Sequence, residues 1–317
     1  MRPGGATSRG KPLPGAPAAE FRGVTKLFGP TTALADASFR LDPGLVHALL
    51  GPNGSGKTTA IDILTATRRA DAGVASVFGH PVARGGASTS LVSLMPQAVD
   101  FPDYLTSREV LTLWLAHYPD ALKVPDAITT FELNDIADRQ TGGLSGGQAK
   151  RLALACAVAS STPLIVLDEP SASLDVYGQR FVTATIQRLR DSGTTVLLAS
   201  HDMHEVERLA DRILCLDSGR VLGQWSADDF RALAGYRSLF FRSTLPEHRV
   251  RLLCESAGME AQRDVTVPGR WRIDTPRSDD AARRLLECAV NPGLTIREAG
   301  IGDVFERIVA MSGERER

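Results

Sequence analysis

Gly51-Pro52-Asn53-Gly54-Ser55-Gly56-Lys57-Thr58 decides how the rest of this chain reads. A glycine followed, after four intervening residues, by Gly-Lys-Thr folds into a phosphate-holding loop when a strand leads in and a helix leads out. Both flanks are present: Val46–Leu50 is a short apolar run that predicts a buried strand, and Thr58–Ala66 carries a helical pattern. Glycines let backbone N–H groups turn inward around phosphate oxygens with no Cβ in the way. The helix aims its positive N-terminal end at the same anion. In such a loop Gly51, Pro52, Asn53, Gly54, Ser55 and Gly56 form the cradle, and Lys57 bridges the β- and γ-phosphates of a nucleoside triphosphate. Thr58 offers its hydroxyl to Mg²⁺, and Thr59 adds a phosphate contact.

Downstream, Leu164-Ile165-Val166-Leu167-Asp168-Glu169-Pro170 is an apolar strand that ends in two acids. Buried charge is costly unless it is paired or meets a metal ion. Asp168 is therefore expected beside the Mg²⁺, and Glu169 beside the water that attacks the γ-phosphate. An acidic turn closing a core strand is the plain alternative. Pro170 stops the strand.

The chain has 317 residues, a formal net charge of -1, and 43% hydrophobic against 23% charged residues. That excludes a wholly disordered chain, a collagen-like repeat or a coiled coil, and the length suggests about two domains. Near-neutral charge argues against a nucleic-acid partner. Cys156, Cys215, Cys254 and Cys288 are too widely spaced for a zinc motif and read as buried thiols of a reducing compartment. No stretch of about 18 uncharged apolar residues and no secretory leader is visible, so a cytosolic location is expected. Lys occurs only at 11, 26, 57, 123 and 150 among 36 basic residues, which makes each lysine conspicuous.

Residues 1–20, rich in Pro, Gly and small side chains, read as an unordered tail. Residues 21–235 alternate apolar runs with helical stretches, the pattern of a sheet wrapped by helices. Strands are predicted at Val46–Leu50, Leu164–Leu167 and Thr195–Ala199, and helices at Thr58–Ala66, Ser107–His117, Gly146–Ser160, Tyr177–Asp191 and Met203–Leu209. Residues 236–317 read β-α-β-β-α-β: Ser238–Arg242, Glu247–Ser256, Arg263–Val267, Arg270–Asp274, Asp279–Ala289 and Leu294–Arg297, then a helix near Asp303–Met311. That order suits a small α+β domain of split βαβ type. It holds 14 Arg against 13 acidic residues, so no basic patch is expected.

Leu144-Ser145-Gly146-Gly147-Gln148 lies 20 residues before Asp168 and opens an apolar helix. It resembles the signature sequence of ATP-binding-cassette (ABC) ATPases. Other elements of that family follow in order: Gln97 in Met95-Pro96-Gln97 resembles the Q-loop, Ser173-Leu174-Asp175 the D-loop, and His201 the switch histidine. The resemblance covers about residues 21–233. It implies an α/β P-loop NTPase cassette with a mixed sheet core, a helical signature subdomain at about 98–160 and a Mg²⁺-dependent ATPase activity. It also implies that Ser145, Gly146, Gly147 and Gln148 form a second phosphate nest. That nest would serve a head-to-tail pair of cassettes, a homodimer or a pairing with a second ATPase, with two ATP molecules between them. Under the same resemblance His201 senses the γ-phosphate, Gln97 touches Mg²⁺ or the water, and Asp175 links the two sites. Phe28 resembles the aromatic that stacks on adenine; a Phe entering a strand is more often a core residue. Ser173 stands where the family often has Gly, and little effect is expected from it.

Tyr104-Leu105-Thr106-Ser107-Arg108-Glu109-Val110 and Ile301-Gly302-Asp303-Val304-Phe305-Glu306-Arg307-Ile308 resemble stretches of bacterial exporters of drugs, antibiotics, polysaccharides or heme. The compact segment between Gln97 and Leu144 suits a transporter ATPase. The resemblance therefore implies an exporter subunit at the cytoplasmic face of the membrane, working with a separate integral-membrane permease. An importer ATPase and a soluble non-transport ABC ATPase are the alternatives. Phe101, Tyr104, Trp114 and Tyr118 either receive a permease helix or fill the core of the helical subdomain. The solute, the direction of transport, the identity of the membrane partner and the role of residues 236–317 are not legible in the sequence.

Overall fold

The computed structural model describes residues 10–243, 245–256, 258–264, 267–287 and 293–315. The chain divides into two units, Met1–Ser226 and Ala227–Arg317.

The first unit holds two sheets. β1 (Ala19–Phe28) and β2 (Thr31–Leu41) form an antiparallel pair, and β4 (Ala72–Val77) and β5 (His80–Pro81) extend it in the order β2-β1-β4-β5. The larger sheet runs β10-β9-β3-β8-β7-β6. Its members are β3 (Val46–Leu50), β6 (Val92–Met95), β7 (Leu164–Asp168), β8 (Thr195–Ala199), β9 (Arg212–Asp217) and β10 (Arg220–Ser226). β6, β7, β8, β3 and β9 are parallel, and β10 closes the edge antiparallel, so the sheet is mixed.

β3, β7 and β8 are buried at every position, as unbroken apolar strands covered on both faces must be. Their side chains alternate between faces. Val46, Ile165, Leu167, Val196 and Leu198 enter a core with α2 (Ser107–Leu115), α3 (Val124–Thr130), α4 (Gly146–Ala159) and α5 (Val176–Asp191). Leu49, Leu164, Val166, Leu197 and Ala199 enter another with α1 (Lys57–Leu64) and the β1–β2 sheet. α6 (Met203–Leu209) follows β8. Among the described residues no helix is long and apolar enough to cross a membrane.

The second unit contains α7 (Ala227–Ala232), β11 (Arg237–Arg242), α8 (Glu247–Ser256), β12 (Ala261–Arg263), β13 (Arg270–Thr275), α9 (Ser278–Glu287), β14 (Thr295–Glu298) and α10 (Ile301–Arg315). Its antiparallel sheet runs β12-β13-β11-β14, the split βαβ arrangement expected from the element order. Leu239, Phe241, Trp271 and Ile273 project to one face and form a core with Val250, Cys254 and Leu285. Phe240 projects to the other, with the guanidinium groups of Arg270, Arg297 and Arg272 at 4.6, 5.5 and 5.9 Å from its ring centre. Arg270 pairs with Asp264, and Arg272 with Asp274 and Asp303, so most of that charge is neutralised locally.

Four expectations change. Residues 1–9 lie outside the described set, but 10–20 are ordered rather than a free tail. Leu13 N–H donates to Phe78 O (3.2 Å), Ala18 N–H to Leu41 O (2.8 Å) and Phe78 N–H to Ala18 O (3.1 Å), and β1 already begins at Ala19. The small side chains of Ala18 and Ala19 allow this: both are fully buried against the sheet. The boundary also falls at 226/227 rather than 235/236, because α7 packs with α10 and Arg307 donates to Ala234 O at 2.8 Å. The strand expected at Arg263–Val267 is instead Ala261–Arg263, paired in register with Trp271–Ile273; residues 265–266 are outside the described set. The expected helix Asp279–Ala289 begins one residue earlier, at Ser278, and is described as far as Glu287; residues 288–289, and so Cys288, lie outside the described set. Cys156 and Cys215 are buried free thiols, and Cys254 is buried as well.

Candidate active site

The phosphate loop joins β3 to α1. A Cβ on Gly51 would meet the Ser55 side chain and the Leu216 carbonyl, and one on Gly56 would stand 2.5 Å from Ala33 O. Gly56 also has φ +103°, where only glycine sits without strain. No side chain caps α1, so its first-turn N–H groups face outward without a capping acceptor, as an anion-binding helix end requires. α1 starts at Lys57, one residue earlier than expected, and stops at Leu64. The Lys57 ammonium donates to Gly51 O (2.7 Å) and Pro52 O (3.1 Å). Burial lowers its pKa, partly opposed by the charges of Glu169 and Asp168.

β7 runs one residue further than predicted and delivers Asp168 and Glu169, 7% and 8% exposed, to the C-terminal edge of the sheet. Burial pushes the Asp168 carboxyl up to about 6; the Glu169 charge adds to the shift and Lys57 opposes it. Glu169 takes a left-handed backbone (φ +52°), a conformation in which non-glycine residues store strain at functional sites. Its N–H donates to Ala199 O at 2.8 Å, which ties the turn to the end of β8. Its carboxylate Oε2 lies 2.7 Å from His201 Nδ1, while the imidazole stays 78% exposed.

These groups share one cleft of about 600 Å³, lined by Lys57, Gln97, Asp168, Glu169, His201 and Phe28, together with Gly51, Asn53, Gly54, Gly56, Thr58 and Thr59. Pro52 and Ser55 shape the loop from behind, with Ser55 N–H on Pro52 O at 3.1 Å. Phe28 is 41% exposed at the end of β1, which rules out the core role. The Arg68 guanidinium lies 4.8 Å from its ring centre. Among the described residues no three His, Cys, Asp or Glu side chains gather as a metal centre.

Ser145, Gly147 and Gln148 line a different cavity of about 310 Å³, shared with Asp175. The chain does not bring them to its own phosphate loop. Ser145 caps α4 reciprocally: its Oγ accepts from Gln148 N–H (3.3 Å) and its N–H donates to Gln148 Oε1 (3.0 Å). Beyond Gly146 a Cβ would meet open space, and beyond Gly147 only the Leu174 side chain at 3.7 Å. Packing within the chain therefore does not explain either glycine. Asp175 caps α5, its Oδ1 accepting from Gly178 N–H at 2.7 Å. Ser173 has φ +62°, which is the physical reason glycine suits that position.

The four aromatics separate. Phe101 and Trp114 line an apolar groove of about 400 Å³ with Val99, Leu105 and Leu113. Tyr118 is half-buried with its hydroxyl 3.5 Å from Val92 O, and Tyr104 is 73% exposed outside the groove.

Two further residues have no motif to announce them. Lys150, on α4, donates to the carbonyls of Glu169 (3.2 Å) and Ala172, pinning the turn that carries the carboxylate. Its rarity among the basic residues was the available signal. Glu205, 1% exposed on α6, accepts from the hydroxyls of Ser171 and Ser200.

A family model described as ABC transporter matches residues 34–172. The chain is 32% identical over 308 residues to the daunorubicin/doxorubicin resistance ATP-binding protein DrrA of Streptomyces peucetius, covering 93% of this chain and 92% of that one. It is 34% identical to the Nod factor export ATP-binding protein I of Burkholderia lata, over 65% of this chain and 69% of that one. Its fold matches a dimeric ATP-binding cassette solved in a post-hydrolysis state with ADP and Pi: TM-score 0.60, 24% identity, 66% of this chain and 98% of that one. The mixed sheet, the phosphate loop at β3, the paired acids at β7 and these likenesses agree: the chain belongs to the ABC transporter family, as an ATP-binding, ATP-hydrolysing subunit.

Proposed function

We propose that this subunit powers export, closing on ATP against a second cassette and driving a separate integral-membrane permease from the cytoplasmic face. The observation that carries the reading is the single cleft in which Lys57, Asp168, Glu169 and His201 surround the phosphate loop. The relatives named for daunorubicin/doxorubicin resistance and Nod factor export support export as the direction. The solute is selected in the membrane subunit.

In this reading the loop amides and Lys57 hold the β- and γ-phosphates, and Phe28 stacks on the adenine. Glu169 Oε2 is engaged by His201, so Oε1 accepts the proton of the attacking water, while the exposed His201 Nε2 reaches the γ-phosphate. Asp168, with Thr58 and Gln97, fits a hard dication: it is a buried carboxylate whose own surroundings disfavour its charge. Asp168, Thr58 and Gln97 would hold Mg²⁺ there, and the ion would supply charge neutralisation for the phosphates. The unexplained glycines at the start of α4, Gly146 and Gly147, with Ser145 and Gln148, contact the ATP held by the opposite cassette, and Asp175 faces that cassette. The groove between Phe101 and Trp114 receives a cytoplasmic helix of the permease.

The test is ATP hydrolysis by the purified chain beside Glu169→Gln, with sizing chromatography in ATP and Mg²⁺. Slow turnover in the parent, none in the variant and an ATP-trapped dimer of the variant are expected. A variant that stays monomeric and still hydrolyses would overturn both the base assignment and the paired site.

A further inference from the structure

Glu205 is an acid in a place where acids are rare: 1% exposed, on the third residue of α6, beside the buried Val206 and Leu209. Burying a carboxylate costs several kcal/mol, on the order of 2–7 even for a neutral polar group left unpaired, so its hydrogen bonds define what it does there. Oε1 accepts from the Ser171 hydroxyl, and Oε2 accepts from the Ser200 hydroxyl at 2.7 Å. Ser171 and Ser200 are themselves only 7% and 4% exposed.

The two serines are not arbitrary partners. Ser171 lies two residues after Glu169, and Ser200 immediately precedes His201. Glu169 and His201 meet at 2.7 Å on the far side. A closed ring results: Glu169, Pro170, Ser171, the Glu205 carboxylate, Ser200 and His201 return to Glu169 through alternating covalent and hydrogen bonds. Within that ring Ser200 Oγ also accepts from Asp202 N–H at 3.1 Å, and Asp202 Oδ1 accepts from Glu205 N–H at 3.3 Å, so α6 holds the carboxylate at its base. Beyond the ends of β7 and β8, which the Glu169 N–H to Ala199 O bond already ties together, the Glu205 carboxylate adds a side-chain bridge between the two loops behind the Glu169–His201 contact.

We infer that Glu205 is a positioning residue: through Ser171 and Ser200 it holds the Glu169 turn and the His201 loop at the separation their contact requires. The inference rests on the reading of Glu169 and His201 as the acting pair. It concerns span, not charge. An aspartate is one methylene too short to reach both hydroxyls. A glutamine has the full length, accepts from one serine and donates to the other.

The test compares full-length Glu205→Gln, Glu205→Asp and Glu205→Ala with the parent in ATP turnover. A positioning role predicts that the Asp and Ala variants lose about 10–100-fold in kcat with KM unchanged, while Gln stays within about 3-fold. Parent-like kcat in Glu205→Asp, a loss in KM instead of kcat, or a Gln variant as poor as Ala would overturn it. A second readout does not depend on turnover. In chains labelled with ¹³C-histidine, with His201→Ala to assign the signal, the His201 ring resonance should shift in the Asp and Ala variants. That of the buried His47 should hold still and report an intact fold. An unmoved His201 signal would overturn the inference. Should Glu169→Gln keep hydrolysing, the assignment of the acting pair fails, and the histidine signals still decide whether Glu205 holds the loop.

Discussion

His201 Nδ1 sits 2.7 Å from Glu169 Oε2, with the carboxylate side chain 10% exposed and the imidazole 78% exposed. One partner is fixed in the protein and the other presents its second nitrogen to the cleft. Replacing the imidazole by a methyl should therefore leave phosphate binding by the loop intact and remove orientation at the reacting end. His201→Ala is expected to keep nucleotide affinity within about 3-fold and to lose about 100-fold in turnover. Steady-state ATPase rates with a fluorescent-nucleotide titration check this; turnover at the parent rate would sink it.

Gly54 and Gly56 separate backbone strain from steric overlap. Both have positive φ, +81° and +103°, but a Cβ meets nothing within 4 Å at Gly54 and stands 2.5 Å from Ala33 O at Gly56. Gly54→Ala should cost about 1 kcal/mol, the price of a left-handed alanine. Gly56→Ala should cost about 3 kcal/mol, since it adds an overlap with backbone that cannot move aside. Urea midpoints of the two variants without nucleotide would show the difference, and equal losses would contradict it.

Asp168 gives the protein a pH dependence of defined sign. Its carboxyl rises from 3.8 to about 6 on folding, chiefly by burial. Between these values the folded chain holds a proton that the unfolded chain has released, so this residue's contribution to stability falls as pH rises through about 4 to 6 and stays lost above. Asp168→Asn should stabilise the nucleotide-free chain at pH 7.5 by on the order of 1 kcal/mol, and by clearly less at pH 4.5. Denaturant midpoints at the two pH values in chelator test it. Equal gains would show that the carboxyl carries no such penalty.

Ser173 occupies a left-handed position (φ +62°) on an exposed turn. Relief of that strain outweighs the extra unfolded-state freedom of glycine, so Ser173→Gly should raise stability by about 0.5 kcal/mol. Its thermal midpoint should rise by a degree or two; a fall would mean that the hydroxyl or its Cβ contributes more than the backbone loses.

What was legible in the sequence follows from burial. Val46–Leu50 and Thr195–Ala199 were readable to the residue because strands covered on both faces must be apolar throughout. The β1–β2–β4–β5 sheet was not read, because β1 pairs through several register shifts and β4 is exposed over Ala72–Val74, which blurs the alternation. The order of residues 10–20 depends on Leu41 and Phe78, partners that no local composition reveals. In the site, the candidate residues sit in motifs: Lys57, Asp168 and Glu169 were read from the residues themselves and Gln97 and His201 from the family resemblance, and the structure lines one cleft with all five. Lys150 and Glu205 act on other protein groups and carry no motif, so only the hydrogen bonds expose them.

The region around Trp271, Phe241, Leu239 and Val250 has a hydrophobic cluster of its own, distinct from the two that sandwich the large sheet. A separate core is a separate cooperative element, so heating need not melt this chain in one step. ATP binds only the native state of the cassette and should raise the melting of that element alone, by mass action. A calorimetric trace would then resolve a nucleotide-sensitive transition beside an indifferent one. Substitutions that loosen the Trp271 cluster would shift the indifferent transition and leave the catalytic machinery's melting where it was.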